Sequence, residues 1–330
     1  MVTLYVTSLE AGAGKTAICA GLGKHLLGDG RKIGFFKPIM AKNAEGVDGD
    51  AVFMKHIFDL EEPVDFLCPV ISDESNLISR IKEAYARVSP GKDVVIVEGI
   101  YEQSIVEAID ARVIIVEGYS GELSKAKINS YKDFGEYLLG VVINKVPRSQ
   151  VERVYGEMTT QFGEAGINIL GVLPEDRALF SLTVGELAEH IQGEILNSAE
   201  KSAELVENFM LGAMVVDPGP EYFGRKANKV VVVRGERPDM QLAALETSTR
   251  CLVLSGNTPP IPEVLYRAED KKIPIILARG DTTALVMSIE DALGKTRFHQ
   301  EKKLPKLTEI MEQHFNFQAV YRGLGLSPSP

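Results

Sequence analysis

Six short apolar runs punctuate the first half of the chain, at residues 4–6, 33–36, 94–97, 113–116, 140–143 and 169–172. Within each run the apolar residues are continuous rather than alternating, the pattern of strands covered on both faces. Between the runs lie segments with helical spacing. One is Lys15 to Leu27, where Ile18, Leu22 and Leu26 fall four apart; the others are Leu77 to Val88, Ser130 to Leu138 and Ser149 to Phe162. Strand alternating with helix predicts a parallel α/β sheet joined by right-handed crossovers.

The texture changes after Leu173-Pro174-Glu175-Asp176-Arg177. Thr183 followed by Glu186 reads as a capping box opening a helix to His190. A second, smaller α/β set follows. Its expected strands cover 213–216, 229–233, 251–254 and 274–277, and its expected helices 240–246, 262–270 and 282–293. A boundary near residue 180 then divides the chain into 1–179, 180–294 and 295–330. The last part reads as a charged link, one helix over 306–315 and a loose end from Gly323 to Pro330.

At 330 residues the chain is long for a single core, which supports two domains. A hydrophobic content of 45% with 25% charged residues is ordinary for a soluble globular protein. The formal charge of −10 argues against a large nucleic-acid surface, though not against a local basic pocket for phosphates. No apolar run reaches bilayer length and the chain opens on a strand, so neither a membrane span nor an export signal is expected. Cys19, Cys68 and Cys251 are odd in number and scattered, which fits a reducing cytoplasm and offers no metal site. His25, His56, His190, His299 and His314 show no metal-ligand spacing and read as surface or helix residues.

The sharpest chemistry lies between the first apolar run and the first helix. Glu10, Ala11, Gly12, Ala13, Gly14, Lys15, Thr16 and Ala17 form a phosphate loop running into a helix N-terminus. Glycines let backbone N–H groups curl around an anion, Lys15 adds a point charge, and the Thr16 hydroxyl suits Mg²⁺. A strand–turn–helix carrying Gly-Lys-Thr by chance is the plain alternative. The loop departs from the general pattern at Leu9, preceded by Ser8, where a glycine is expected five residues before Gly14.

Four more residues fall at or just beyond strand ends. Lys37, before Pro38, reads either as a second cation near the phosphates or as a snorkelling surface lysine. Asp50, in Asp48-Gly49-Asp50, reads as a Mg²⁺ carboxylate or as part of a solvated turn. Glu98 closes a buried strand, where a carboxylate without a partner is costly. Asn144 suits an adenine edge, or simply starts a turn. Two loops of the second half, Val233–Asp239 and Gly280–Thr283, read either as ligand-facing loops or as turns whose Asp and Thr cap helices.

Taken together, Thr7-Ser8, Gly14-Lys15-Thr16, Lys37-Pro38-Ile39, Asp50-Ala51, Val97-Glu98-Gly99 and Asn144 resemble the dethiobiotin synthetase branch of P-loop proteins over about 175 residues. Residues 235–245, 252–257, 274–278 and 183–188 resemble a DRTGG domain. This pairing is similar to the region that precedes the catalytic domain in long phosphate acetyltransferases. The resemblance implies a P-loop NTPase-type parallel-sheet domain followed by a smaller α/β DRTGG-like domain. It implies ATP and Mg²⁺ as cofactors. Lys15 and Thr16 would bind phosphate and metal, Asp50 and Glu98 would hold the metal, Lys37 would face a transferred phosphate or carboxylated substrate, and Asn144 would face the base.

Two functions follow as expectations. The first is a cytoplasmic, nucleotide-binding regulatory module that senses a small metabolite, assembled as a homodimer or higher homo-oligomer. The second is a Mg·ATP-dependent ligase or synthetase acting on a carboxylate or carbamate. Acetyl transfer is not expected of this chain by itself.

Overall fold

The structure is a computed structural model and describes residues 1–40, 48–71, 76–121, 123–212 and 219–327. Two compact units emerge. The first comprises 1–176 together with 298–330, and the second 177–297.

The first unit is built on a six-stranded parallel sheet. Its strands are β1 (Val2–Thr7), β2 (Ile33–Phe36), β3 (Val94–Glu98), β4 (Ala111–Gly118), β5 (Leu138–Val146) and β6 (Ile169–Pro174), in the order β2-β3-β1-β4-β5-β6. All six predicted runs are strands. The central ones are fully buried, as in Leu4, Tyr5 and Val6 or Val94 to Val97, which explains their unbroken apolar sequence. Helix α1 (Lys15–Gly28) follows β1, and α2 (Gly49–Ile57) follows β2. Where one helix was expected over 130–138, a short helix Lys125–Ser130 runs into a 3₁₀ segment Tyr131–Tyr137, and Gly135 turns to a φ of 52°. That non-helical glycine kinks the 3₁₀ segment between Phe134 and Glu136.

The second unit holds a five-stranded sheet. Its strands are β7 (Glu194–Ile195), β8 (Asn208–Gly212), β9 (Lys229–Arg234), β10 (Thr249–Ser255) and β11 (Ile275–Leu277), in the order β7-β11-β10-β9-β8, with only β7 antiparallel. Val230 and Val232 face one apolar cluster, Val231 and Val233 the other, so this sheet too is covered on both sides. The expected strand over 213–216 lies outside the described residues; β8 is the neighbour of β9 instead. The capping box is present: Glu186 N–H donates to Thr183 Oγ1 at 3.1 Å and Thr183 N–H to Glu186 Oε2 at 2.7 Å.

After the second unit the chain rejoins the first. Helix Leu304–His314 packs on α1, close enough that a Cβ on Gly21 would stand 2.1 Å from Met311 Sδ. The single helix expected over 306–315 is followed by a second one ahead of the expected loose end from Gly323, of which residues 328–330 lie outside the described residues. A helix spans Phe317–Gly323, and Val320, Tyr321 and Leu324 are buried. Phe317, Val320, Tyr321 and Leu324 fall at i, i+3, i+4 and i+7, an apolar stripe that a sequence reading can see. Among the described residues no helix is long and apolar enough to cross a membrane, and all three cysteines are free and buried.

Candidate functional site

Parallel register brings the carboxyl ends of the strands to one edge. Val6 pairs with Glu98, Phe36 with Val97, and Gly118 with Asn144. Everything expected of the first unit gathers there, as it does in parallel sheets generally.

The loop between β1 and α1 turns on Gly14, whose φ of 101° places it in the left-handed region. Its missing Cβ also makes room for Asn144, since a Cβ would meet Asn144 Nδ2 at 2.2 Å. That amide nitrogen donates to the Ala13 carbonyl at 2.9 Å, and Lys145 Nζ donates to the Gly12 carbonyl at 2.7 Å. The β5 end thus holds two loop carbonyls. Lys15 Nζ donates to Ser8 Oγ at 2.9 Å, and Ser8 Oγ to the Glu10 carbonyl at 2.7 Å. On the other flank Lys127 Nζ bridges Glu10 at 2.8 Å and Glu117 at 2.5 Å. Glu117 is only 1% exposed and takes a further hydrogen bond from Tyr131.

An acidic cluster adjoins this loop. Lys37 Nζ lies 3.1 Å from Asp48 Oδ2 and 3.7 Å from Glu98 Oε1, and it is also ion-paired with Asp50 Oδ2. Thr16 Oγ1 donates to Glu98 Oε1 at 3.2 Å. Asp48 caps α2 by accepting from Ala51 N–H at 2.9 Å, so the same turn that starts the helix sets Asp50 in its first turn. Asp50 and Glu98 are 8% and 6% exposed. Burial pushes the Glu98 carboxyl up to about 7, with the Lys37 charge only partly opposing it. Burial would also raise Asp50, but the hydrogen bond with His299 and the Lys37 charge outweigh it and hold it at about 2. Burial alone would lower Lys37; the Glu98 and Asp50 charges instead lift it above its ordinary value.

The cluster suits a hard cation. Glu98 Oε2 is buried with no hydrogen-bond partner, the Lys37 ammonium stands among three carboxylates, and every donor is oxygen. Among the described residues no group of three or more His, Cys, Asp or Glu side chains forms a ready metal cage.

Lys15, Thr16, Lys37, Asp50 and Glu98 are therefore brought together, and Asn144 is adjacent through Gly14. His299 is a correction. Expected as a surface or helix residue, it places Nε2 2.6 Å from Asp50 Oδ1. The Lys127–Glu117–Tyr131 group was likewise not expected. Neither carries a sequence signal, since each contact depends on tertiary placement. In the second unit Asp281 accepts from Ala284 N–H at 2.8 Å and Arg237 pairs with Asp239, so the capping reading describes Asp281.

Comparison with known proteins agrees with this fold. Residues 2–181 match the family described as AAA domain, and residues 186–292 match the DRTGG domain. The phosphate acetyltransferase of Nitrosomonas europaea is 20% identical over 98% of this chain and 52% of its own length. That of Pseudomonas aeruginosa is 23% identical over 98% and 52%. The chain spans about half the length of the curated relatives it matches. Among solved structures, the cobyrinic acid a,c-diamide synthase of Mycobacterium smegmatis, with bound ATP analogue and magnesium, aligns at a TM-score of 0.37 and 15% identity. It covers 54% of this chain and 88% of that one. The P-loop lies at the head of the larger matched segment, and the second unit contains the smaller one. The chain belongs to the AAA domain family through residues 2–181 and carries a DRTGG domain after it.

Proposed function

We propose that the first unit binds ATP with Mg²⁺ and that the chain works as a regulatory module. The observation that carries the binding is the Lys37 ammonium among Asp48, Asp50 and Glu98, beside the Lys15 loop, with a buried Glu98 oxygen lacking any partner. The loop amides of residues 10–17 and Lys15 bind the phosphates. Thr16, Asp50 and Glu98 hold the metal, which when bound neutralises phosphate charge. Lys37 supplies a second cation, and Asn144 lies where it borders the bound nucleotide. The regulatory role is supported by the DRTGG domain that follows the first matched segment. A small metabolite is the expected signal and a homodimer the expected assembly.

A second reading, ATP-dependent activation of a carboxylate, is favoured by Lys37, which the cluster holds beside the phosphate loop as a cation for a substrate oxyanion. Calorimetric titration with ATP, ADP and GTP, with and without Mg²⁺, tests both. Absence of binding at millimolar nucleotide removes them. Binding abolished by Lys15→Ala, without turnover on a panel of carboxylates, supports the regulatory role; turnover overturns it in favour of the enzyme.

A further inference from the structure

One side of α2 is covered by chain from far along the sequence. Gly49, Asp50, Phe53 and His56 share that side by helical spacing, and residues 298–301 lie along them. The Phe298 ring meets Phe53 edge-on with centroids 5.7 Å apart, His299 reaches Asp50, and Glu301 Oε2 stands 3.1 Å from His56 Nε2. Gly49 makes this approach possible. A Cβ there would come within 2.9 Å of His299 Cε1, although its backbone is ordinary helix.

The two oxygens of Asp50 are thereby divided. Oδ1 faces His299 Nε2 and Oδ2 faces Lys37. A carboxylate oxygen accepts, so in this pair the ring Nε2–H of His299 is the donor to Oδ1. We infer that His299 is the positioning residue of Asp50: it occupies Oδ1 and thereby presents Oδ2 to the cation of the site. This rests on the reading of Asp50 as a metal-holding carboxylate. Partners of this kind, one step outside the metal, typically change its affinity by about 10- to 100-fold when removed. His299 also lies two residues beyond Arg297, the last residue of the second unit. The DRTGG-bearing unit is thus joined through the backbone to the segment that aims Asp50.

The test uses the full chain and ADP, with Mg²⁺ titrated at fixed nucleotide and a parallel measurement in chelator. Four variants are compared with the parent: His299→Ala, His299→Gln, Gly49→Ala and Asp50→Asn. His299→Ala and Gly49→Ala are expected to raise the half-effective Mg²⁺ concentration by about tenfold, while metal-free ADP affinity stays within about twofold. His299→Gln, whose amide can donate to the same oxygen, is expected to restore most of the loss. Gly49→Ala guards against a folding artefact, because alanine is the better helix former and the ring alone must move. Asp50→Asn separates the two levels of the argument. If it weakens Mg²⁺ dependence and the His299 and Gly49 variants do not, the positioning role falls alone. If Asp50→Asn is silent while the parent depends on Mg²⁺, the metal reading of Asp50 falls and this role with it. Equal losses with and without metal also overturn the inference, since they mark a structural contact.

Discussion

Lys15 rests its ammonium on the Ser8 hydroxyl, 2.9 Å away, within the loop it is expected to serve. Ser8 stands where the dethiobiotin synthetase pattern carries glycine, so the departure has a concrete effect: it gives Lys15 a competing partner. Ser8→Gly is expected to tighten ATP binding by about two- to tenfold, the range of one modest hydrogen bond. Calorimetry reads this directly; weaker binding would show that Ser8 shapes the loop instead.

Glu98 and Asp50 respond to pH in opposite senses. The folded chain holds a proton on Glu98 up to about 7, while the unfolded chain releases it in the ordinary carboxylate range. The resulting stability is complete below that range and is lost as pH rises through 7. Metal-free protein is expected to lose on the order of 3 kcal/mol between pH 4 and 8 from this group, and Glu98→Gln to flatten that slope in urea unfolding. Asp50, held at about 2, contributes stability above the ordinary range that disappears as pH falls toward 2. Glu98→Gln is also expected to weaken Mg²⁺-dependent nucleotide binding far more than metal-free binding; equal losses would make Glu98 structural.

Lys127 neutralises a carboxylate that is 1% exposed. Lys127→Met removes the ammonium from a buried carboxyl group that also accepts from Tyr131, at a cost of about 3 kcal/mol. The double variant with Glu117→Gln is expected to recover most of it, because both charges are then gone. Additive losses in denaturant unfolding would contradict a direct pair.

Asn144 has committed its amide nitrogen to the Ala13 carbonyl. Asn144→Ala is therefore expected to weaken ATP and GTP alike, through a loosened loop. A loss confined to ATP would show that the side chain also reads the base.

Much of this molecule is legible from its residues. Continuous runs such as Val94–Val97 announce buried parallel strands because both faces are covered, and Gly14-Lys15-Thr16 announces a phosphate loop because that chemistry is local. Glu98 could be singled out since a carboxylate ending a buried strand needs a partner. The partner itself, Lys37 from the strand before, follows once the strands are neighbours. His299 could not be read this way. Its contact with Asp50 spans 249 residues and depends on the chain returning across α2. The helix at 317–323 carries a readable apolar spacing, Phe317, Val320, Tyr321 and Leu324, that the expectation of a single helix over 306–315 did not use.

The division of the first unit into 1–176 and 298–330 also orders events during synthesis. The second unit is one continuous stretch and can fold as soon as residue 297 has emerged. The first unit cannot close α2 or cover α1 until the final helices arrive. The second unit can therefore complete its contacts before the unit it interrupts, and the Asp50–His299 pair forms only after residue 299 has been made.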